Sequence, residues 1–82
     1  MEGMPGVEEL VVVGILWGAQ DRFALVETER GQNLILREGD AVRNGRVLRV
    51  LPDGLQLRYS HYGVVRIVTL PIVSGVEEKD ER

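Results

Sequence analysis

The residues of this chain that could take part in catalysis are few and stand in turn-like contexts. His61 is the one histidine, and it lies between Ser60 and Tyr62. A serine beside a histidine in sequence is not by itself a nucleophile and its base, because catalytic side chains must meet in a specific geometry. Asp40 follows a glycine and Asp53 precedes one, which is typical of turns. We interpret these residues as turn residues and predict no catalytic site.

Ligands for a metal ion or a cofactor are also scarce. The chain contains no cysteine, which excludes disulfide bonds and thiolate metal sites. The glycines are not spaced as a phosphate-binding loop, and no cofactor fingerprint is present. The sequence therefore predicts a protein without enzymatic activity, without a metal site and without a cofactor.

Arginine supplies the positive charge in the central part of the chain. Between Asp21 and Arg66 there are eight arginines and six acidic residues, a net charge of +2, although the whole chain has a formal net charge of −3. Arginine suits bidentate contacts with carboxylates. The aromatic residues are not interleaved with the arginines as a stacking platform, so no nucleic acid partner is predicted. A solvated charged face with local ion pairs is the simpler interpretation.

Six short segments have the composition and length of β-strands. They are rich in β-branched residues or alternate between apolar and polar residues, and turn residues separate them. The predicted strands are residues 10–17, 22–28, 33–37, 46–51, 55–60 and 64–70. With no convincing helix, the predicted fold is all-β: a small antiparallel β-sandwich of about six strands in two packed sheets.

Glycines and alternation predict local details of these strands. Gly14 lies inside the first strand and predicts a bulge or a close backbone approach. Gly31 and Gly54 lie in predicted turns, where glycine accepts a positive φ. The fourth strand has an imperfect period, with Arg46, Leu48 and Val50 expected on one face and Val47, Arg49 and Leu51 on the other.

The 82 residues suffice for one domain. We expect a flexible lead-in over residues 1–9, a β domain over 10–72 and an acidic tail or linker over 73–82. The longest apolar run, residues 10–17, is shorter than the roughly 20 residues of a membrane-spanning helix. Residues 1–9 also lack the basic and apolar regions of a signal peptide. The chain is therefore expected to be cytosolic or a domain of a longer, anchored protein.

Short pieces of sequence, in a fixed order, cover residues 10–70. They are Val13-Gly14-Ile15-Leu16, Phe23-Ala24-Leu25-Val26, Gly31, Gly39-Asp40, Asn44-Gly45-Arg46-Val47, Val50 and residues 53–57. In this order and spacing they resemble the periplasmic domain of the type IV pilus assembly lipoprotein PilP and the homology region of the type II secretion protein GspC. The hairpin at residues 60–64 is short, as in GspC-like regions, and no lipidated cysteine is present. The choice between the two systems therefore stays open.

The resemblance implies a small β-sandwich without enzymatic activity on the periplasmic side of the bacterial inner membrane. Such a domain links inner-membrane assembly platform proteins to the N-terminal periplasmic domain of the outer-membrane secretin. It belongs to a longer protein and meets the membrane only through an anchor that is absent from this chain.

The first predicted strand is the candidate partner-binding surface, because a strand near a chain end is a plausible sheet edge with unpaired backbone groups. We hypothesise that four apolar residues line one side of it, with two arginines nearby as charge contacts. The apolar residues are Val11, Val13, Ile15 and Trp17, and the arginines are Arg22 and Arg37. Core packing of the same apolar residues is the competing interpretation. Trp17 fits a core cap and an interface anchor equally.

A second functional hypothesis does not depend on the resemblance. A cytosolic small β module of the SH3-like or PRC-barrel kind would have similar strand lengths and turns. Such a module would bind protein or RNA. A gene context with secretin and pilus-assembly neighbours favours the first hypothesis, and ribosomal or RNA-processing neighbours favour the second.

Overall fold

The computed structural model describes residues 4–73 as seven strands in two antiparallel sheets, which confirms the predicted all-β sandwich. The strands are β1 (Leu10–Trp17), β2 (Arg22–Thr28), β3 (Asn33–Leu36), β4 (Ala41–Val42), β5 (Gly45–Leu51), β6 (Gly54–His61) and β7 (Val64–Pro71). One sheet has the order β1-β2-β3 and the other the order β4-β5-β6-β7. Apart from Val73, the predicted tail lies outside the described residues.

The six predicted strands are all present, and one short strand is added. β1 and β2 have the predicted bounds, and the other predicted strands differ by one residue at one or both ends. The additional strand is β4, whose two residues pair with the start of β5. A two-residue strand has no periodicity of its own, so its pairing depends on the neighbouring strand.

The C-terminal end of the lead-in forms a regular turn, although a loose segment is expected there. A 3-10 turn spans Val7–Glu9, and Val7 is buried. Arg43 holds this turn, because its guanidinium lies 2.7 Å from a Glu9 carboxylate oxygen and 3.2 Å from one of Glu8. The backbone N–H of Arg43 also donates to the carbonyl oxygen of Pro5 at 2.9 Å.

The core lies between the two sheets and consists of aliphatic side chains. Its buried members are Val7, Leu10, Val12, Ala24, Val26, Leu36, Val42, Val47, Val50, Leu55 and Leu57. The predicted alternation of β6 is confirmed, since Leu55 and Leu57 face this core while Arg58 and Ser60 are exposed. Burial of such side chains is the main favourable contribution to folding.

Two β-bulges change which side chains reach the core. The predicted irregularity in β1 is confirmed, because the register with β2 shifts between Val12 and Gly14. A second shift lies between Val47 and Arg49 in β5. It places both Val47 and Val50 in the core, so the predicted placement of these two valines on opposite faces is wrong. An extra residue in one strand reverses the alternation that follows it.

Glycine serves different purposes in the turns and in the strands. Gly31 has a φ of 83°, as predicted. Gly54 was expected to have a positive φ, but it is a strand residue without one, and a Cβ there would lie 2.7 Å from the carbonyl oxygen of Leu70. Gly54 is thus required by the close approach of β7. At the tip of the β6–β7 hairpin, Tyr62 and Gly63 both have a positive φ, which is the pattern of a type I′ turn.

The ends of the described chain meet along one side of the sandwich. Val12 of β1 forms a parallel bridge with Ile72, which follows β7. The backbone N–H of Val73 donates to the carbonyl oxygen of Val12 at 2.8 Å. This contact joins the open side of β1 to the two residues that follow β7.

Candidate partner-binding surface

The four apolar residues of β1 that were predicted to contact a partner do not share one face. Paired residues of an antiparallel ladder lie on the same face, so β2 shows which way each residue of β1 points. Val11 pairs with the exposed Glu27, whereas Ile15 pairs with the fully buried Ala24. Val11 therefore faces solvent and Ile15 packs against the core. The expected single side is wrong because the bulge at Val13 reverses the alternation between them.

Trp17 combines the two roles that the sequence left open. Its indole Nε1–H donates to the carbonyl oxygen of Val50 at 3.0 Å, which links the two sheets. The residue is nevertheless 46% exposed. The guanidinium carbon of Arg22 lies 4.2 Å from the centroid of the Trp17 ring, within the range of a cation–π contact. The indole thus caps the end of the sandwich and presents an arginine-covered surface to solvent.

Arg37 forms a second arginine–aromatic contact at the same end. Its guanidinium carbon lies 5.1 Å from the centroid of the Phe23 ring. It also donates hydrogen bonds to both carboxylate oxygens of Asp21, at 3.2 and 3.1 Å. These bonds, followed by the positive charge of Arg37, hold the pKa of the Asp21 carboxyl below its ordinary value. Because about half of each side chain is exposed, the ion pair contributes little to stability.

The structure therefore brings three of the six predicted residues to one end of the sandwich. Trp17, Arg22 and Arg37 lie around the β1–β2 turn, where a surface cavity of about 260 Å³ is lined by residues 20–22, 37–38 and Val50. Val11, Val13 and Ile15 lie elsewhere on β1. Planar guanidinium groups on aromatic rings suit carboxylate groups of a partner. Whether any of the six residues contacts a partner remains a prediction.

The residues that were considered for catalysis have structural roles or lie at the surface. The carboxylate of Asp40 accepts the backbone N–H of Arg37 at 2.8 Å, which is the turn chemistry that the sequence predicted. His61 is exposed next to the turn at the hairpin tip, where its ring lies edge-on to Tyr62. Within residues 4–73, no group of three histidine, aspartate or glutamate residues is placed to hold a metal ion.

A second exposed apolar surface lies on β7, and it was not among the predicted binding residues. Val64, Val65 and Ile67 are each about half exposed or more, with Ile67 at 63%. β7 pairs only with β6 and forms the end of its sheet. The sequence signal is the run from Val64 to Val68, in which apolar residues occupy both faces. Within residues 4–73, no strand follows β7 to cover them.

Arginine is the only fully charged residue type in the same four-stranded sheet. Its three long strands contain no acidic residue and four arginines: Arg46, Arg49, Arg58 and Arg66. Arg46 stands directly opposite Arg58, and like charges in this position are unfavourable. The ion pairs seen among residues 4–73 belong to Arg37 and Arg43. The four arginines of this sheet therefore have no carboxylate partner in the described part of the chain.

Comparisons with known proteins add no family assignment. No family model matches the chain. No curated protein matches it either. In the part that the structure describes, no helix is both long enough and apolar enough to cross a membrane.

Proposed function

We propose that this chain is a non-catalytic periplasmic adaptor domain that binds other proteins of an envelope machine. It links an inner-membrane pilus-assembly or type II secretion platform to the N-terminal periplasmic domain of the outer-membrane secretin. The observation that carries the binding role is the concentration of exposed apolar side chains on two edge strands, β1 and β7. The resemblance to the PilP and GspC regions supplies the identity of the partners.

Edge strands suit this role because they offer two kinds of contact at once. Their outer backbone groups can pair with a strand of another protein, and their exposed side chains can add apolar contact. On β1, Val11 and Leu16 are exposed, and the Trp17–Arg22 pair lies at its end. On β7, Val65 and Ile67 are exposed along the open side.

The test is an NMR titration of the labelled chain with the isolated N-terminal periplasmic domains of the secretin from the same genome. We expect saturable amide shifts that are confined to one edge strand and its neighbours. The inner-membrane platform proteins of the same genome are titrated in parallel. An absence of shifts with both sets of proteins at millimolar concentration would contradict the adaptor function.

A second candidate function is favoured by the arginine-bearing sheet. A small β module of the SH3-like or PRC-barrel kind could use Arg46, Arg49 and Arg58 to contact the phosphates of RNA. Titration with a single-stranded RNA distinguishes the two functions. Shifts on these arginines that disappear at high salt would favour RNA, because phosphate contacts depend strongly on ionic strength.

A further inference from the structure

The open side of β7 is a regular and accessible row of backbone groups. The ladder between β6 and β7 runs over eight pairs without a register shift. The N–H of Ser60 donates to the carbonyl of Asn44 at 2.8 Å and thus points toward β5. Because backbone groups alternate in an antiparallel ladder, the partner of Ser60, Val65, directs its own groups away from β6. Ile67 and Thr69 follow with the same orientation, so these three residues form the open side.

The other edges of the two sheets are less suited to receive a strand. β1 contains a bulge, and its open side is bridged near its middle, at Val12, to Ile72, which lies just beyond the C-terminal end of β7. β3 has four residues and β4 has two. β7 has eight residues, no bulge and a single charged residue, Arg66. It lacks the lysines, bulges and internal prolines that usually protect an edge strand from pairing, since its proline is the last residue of the strand.

The charge around this edge defines the chemistry of a matching segment. Arg66 lies on the face of β7 that pairs with Tyr59, and Ile67 on the opposite face, which pairs with Arg58. The side chains of an added strand would alternate between these two faces. The Cβ atom of each would lie roughly 5 Å from the Cβ atom of the β7 residue directly opposite. A carboxylate suits the position beside Arg66, and apolar side chains suit the positions beside Val65 and Ile67, on the face that also carries Arg58. The arginines of the sheet, which have no carboxylate partner among residues 4–73, increase the attraction for a negatively charged segment.

We propose that the open side of β7 binds an extended segment of another protein in which carboxylate and apolar residues alternate. The segment adds as a fifth strand to the four-stranded sheet. A second copy of this chain suits the site less well, because it would bring an equally arginine-rich sheet to the same edge. The inference rests on the proposed function only in that the domain binds protein, and it does not require the partner to be a secretin.

The experiment uses the whole labelled chain and three probes in an NMR titration. The first probe is an acetylated nine-residue peptide of alternating valine and glutamate. The second replaces glutamate with lysine, and the third is a single-stranded oligouridine. We expect the glutamate peptide to shift the amides of β7, most of all Val65, Ile67 and Thr69, and to bind about tenfold more tightly than the lysine peptide.

A matched pair of isoleucine substitutions tests the position of the site. Ile67→Asp puts a negative charge on the open side of β7, and Ile35→Asp makes the same change on β3, the edge of the other sheet. Both isoleucines are exposed, at 63% and 49%, so both variants should fold, which circular dichroism checks. We expect Ile67→Asp to weaken binding of the glutamate peptide about tenfold and Ile35→Asp to change it less than about twofold.

Four outcomes would overturn the proposal: no binding of the glutamate peptide, equal binding of the lysine peptide, tighter binding of the oligouridine, or equal effects of the two substitutions. The proposed function is tested separately by titrating the secretin and platform proteins onto the unsubstituted chain, beside the glutamate peptide. If the secretin domains bind but the glutamate peptide does not, the adaptor function stands and the β7 site is refuted. If the peptide binds at β7 but the secretin and platform proteins do not bind, the β7 site stands and the adaptor function fails.

Discussion

Replacing Gly45 with alanine should open the ladder between β5 and β6. A Cβ at this position would lie 2.1 Å from the carbonyl oxygen of Arg58 and 2.8 Å from the Cα of Tyr59. Since ordinary contact begins near 3.4 Å, the strands would have to separate by about 1.3 Å at this point. Both nearest atoms belong to the backbone, so no side-chain rotation can relieve the overlap.

The expected cost is about 3 kcal/mol, the upper part of the range for adding a methyl group to a closely packed site. This is a large fraction of the 5 to 15 kcal/mol that is typical of a whole domain. For a domain of this size it corresponds to a Tm lower by roughly 12 to 24 °C. The substitution should therefore leave a folded but much less stable protein.

The assay is thermal and urea unfolding followed by circular dichroism, with Gly14→Ala as the control. Gly14 also lies in a strand, but the nearest atom to its Cβ would be 3.9 Å away and its φ is not positive. Gly14→Ala should be neutral or stabilise the protein by up to about 1 kcal/mol, because alanine restricts the unfolded chain. A Tm of Gly45→Ala within about 2 °C of the wild type would refute the close approach of β5 and β6. Equal losses of Tm in the two variants would show that the destabilisation comes from replacing any strand glycine, and not from the close approach at Gly45.

Two further predictions concern the end of the sandwich around Trp17. Trp17→Phe removes the hydrogen bond to the Val50 carbonyl and should destabilise the protein by about 1 to 2 kcal/mol in urea unfolding. The control is Tyr62→Phe at the exposed hairpin tip, which should not change the stability. Arg37→Gln should return the pKa of the Asp21 carboxyl upward to its ordinary value in an NMR pH titration, and an unchanged pKa would contradict the hydrogen-bonded pair. Because that pKa is lowered in the folded state, the stabilisation is present above the unfolded pKa of Asp21 and is lost as pH falls through the folded pKa. Asp21→Asn should therefore make the protein less sensitive to acid in that range.

The strands were predictable because their signals are local. β-branched runs and turn residues placed β1 and β2 with the correct bounds, and Gly14 correctly indicated the bulge in β1. The bulge in β5 was not predicted. Its strand has an imperfect period, but Leu48 is neither glycine nor proline, so no residue type marks the position of the bulge.

The candidate surface was less predictable because it depends on contacts between distant residues. Asp21 and Arg37 are 16 positions apart and meet only when β2 and β3 pair. The partner of the Trp17 indole is a backbone carbonyl in the other sheet, and backbone groups leave no trace in the residue types. The exposure of β7 depends on its place at the end of the sheet, which the sequence of the strand alone does not specify.

The bridge between Val12 and Ile72 affects the order in which the chain can fold. Each strand ladder joins strands that follow one another in sequence, and such hairpins form locally within microseconds. The bridge instead closes a loop that contains nearly the whole domain, at a larger entropic cost. During synthesis it cannot form until Ile72 has left the ribosome. Until then the side of β1 next to Val12 is open to strands of other chains, so the last residues of the domain protect its first strand.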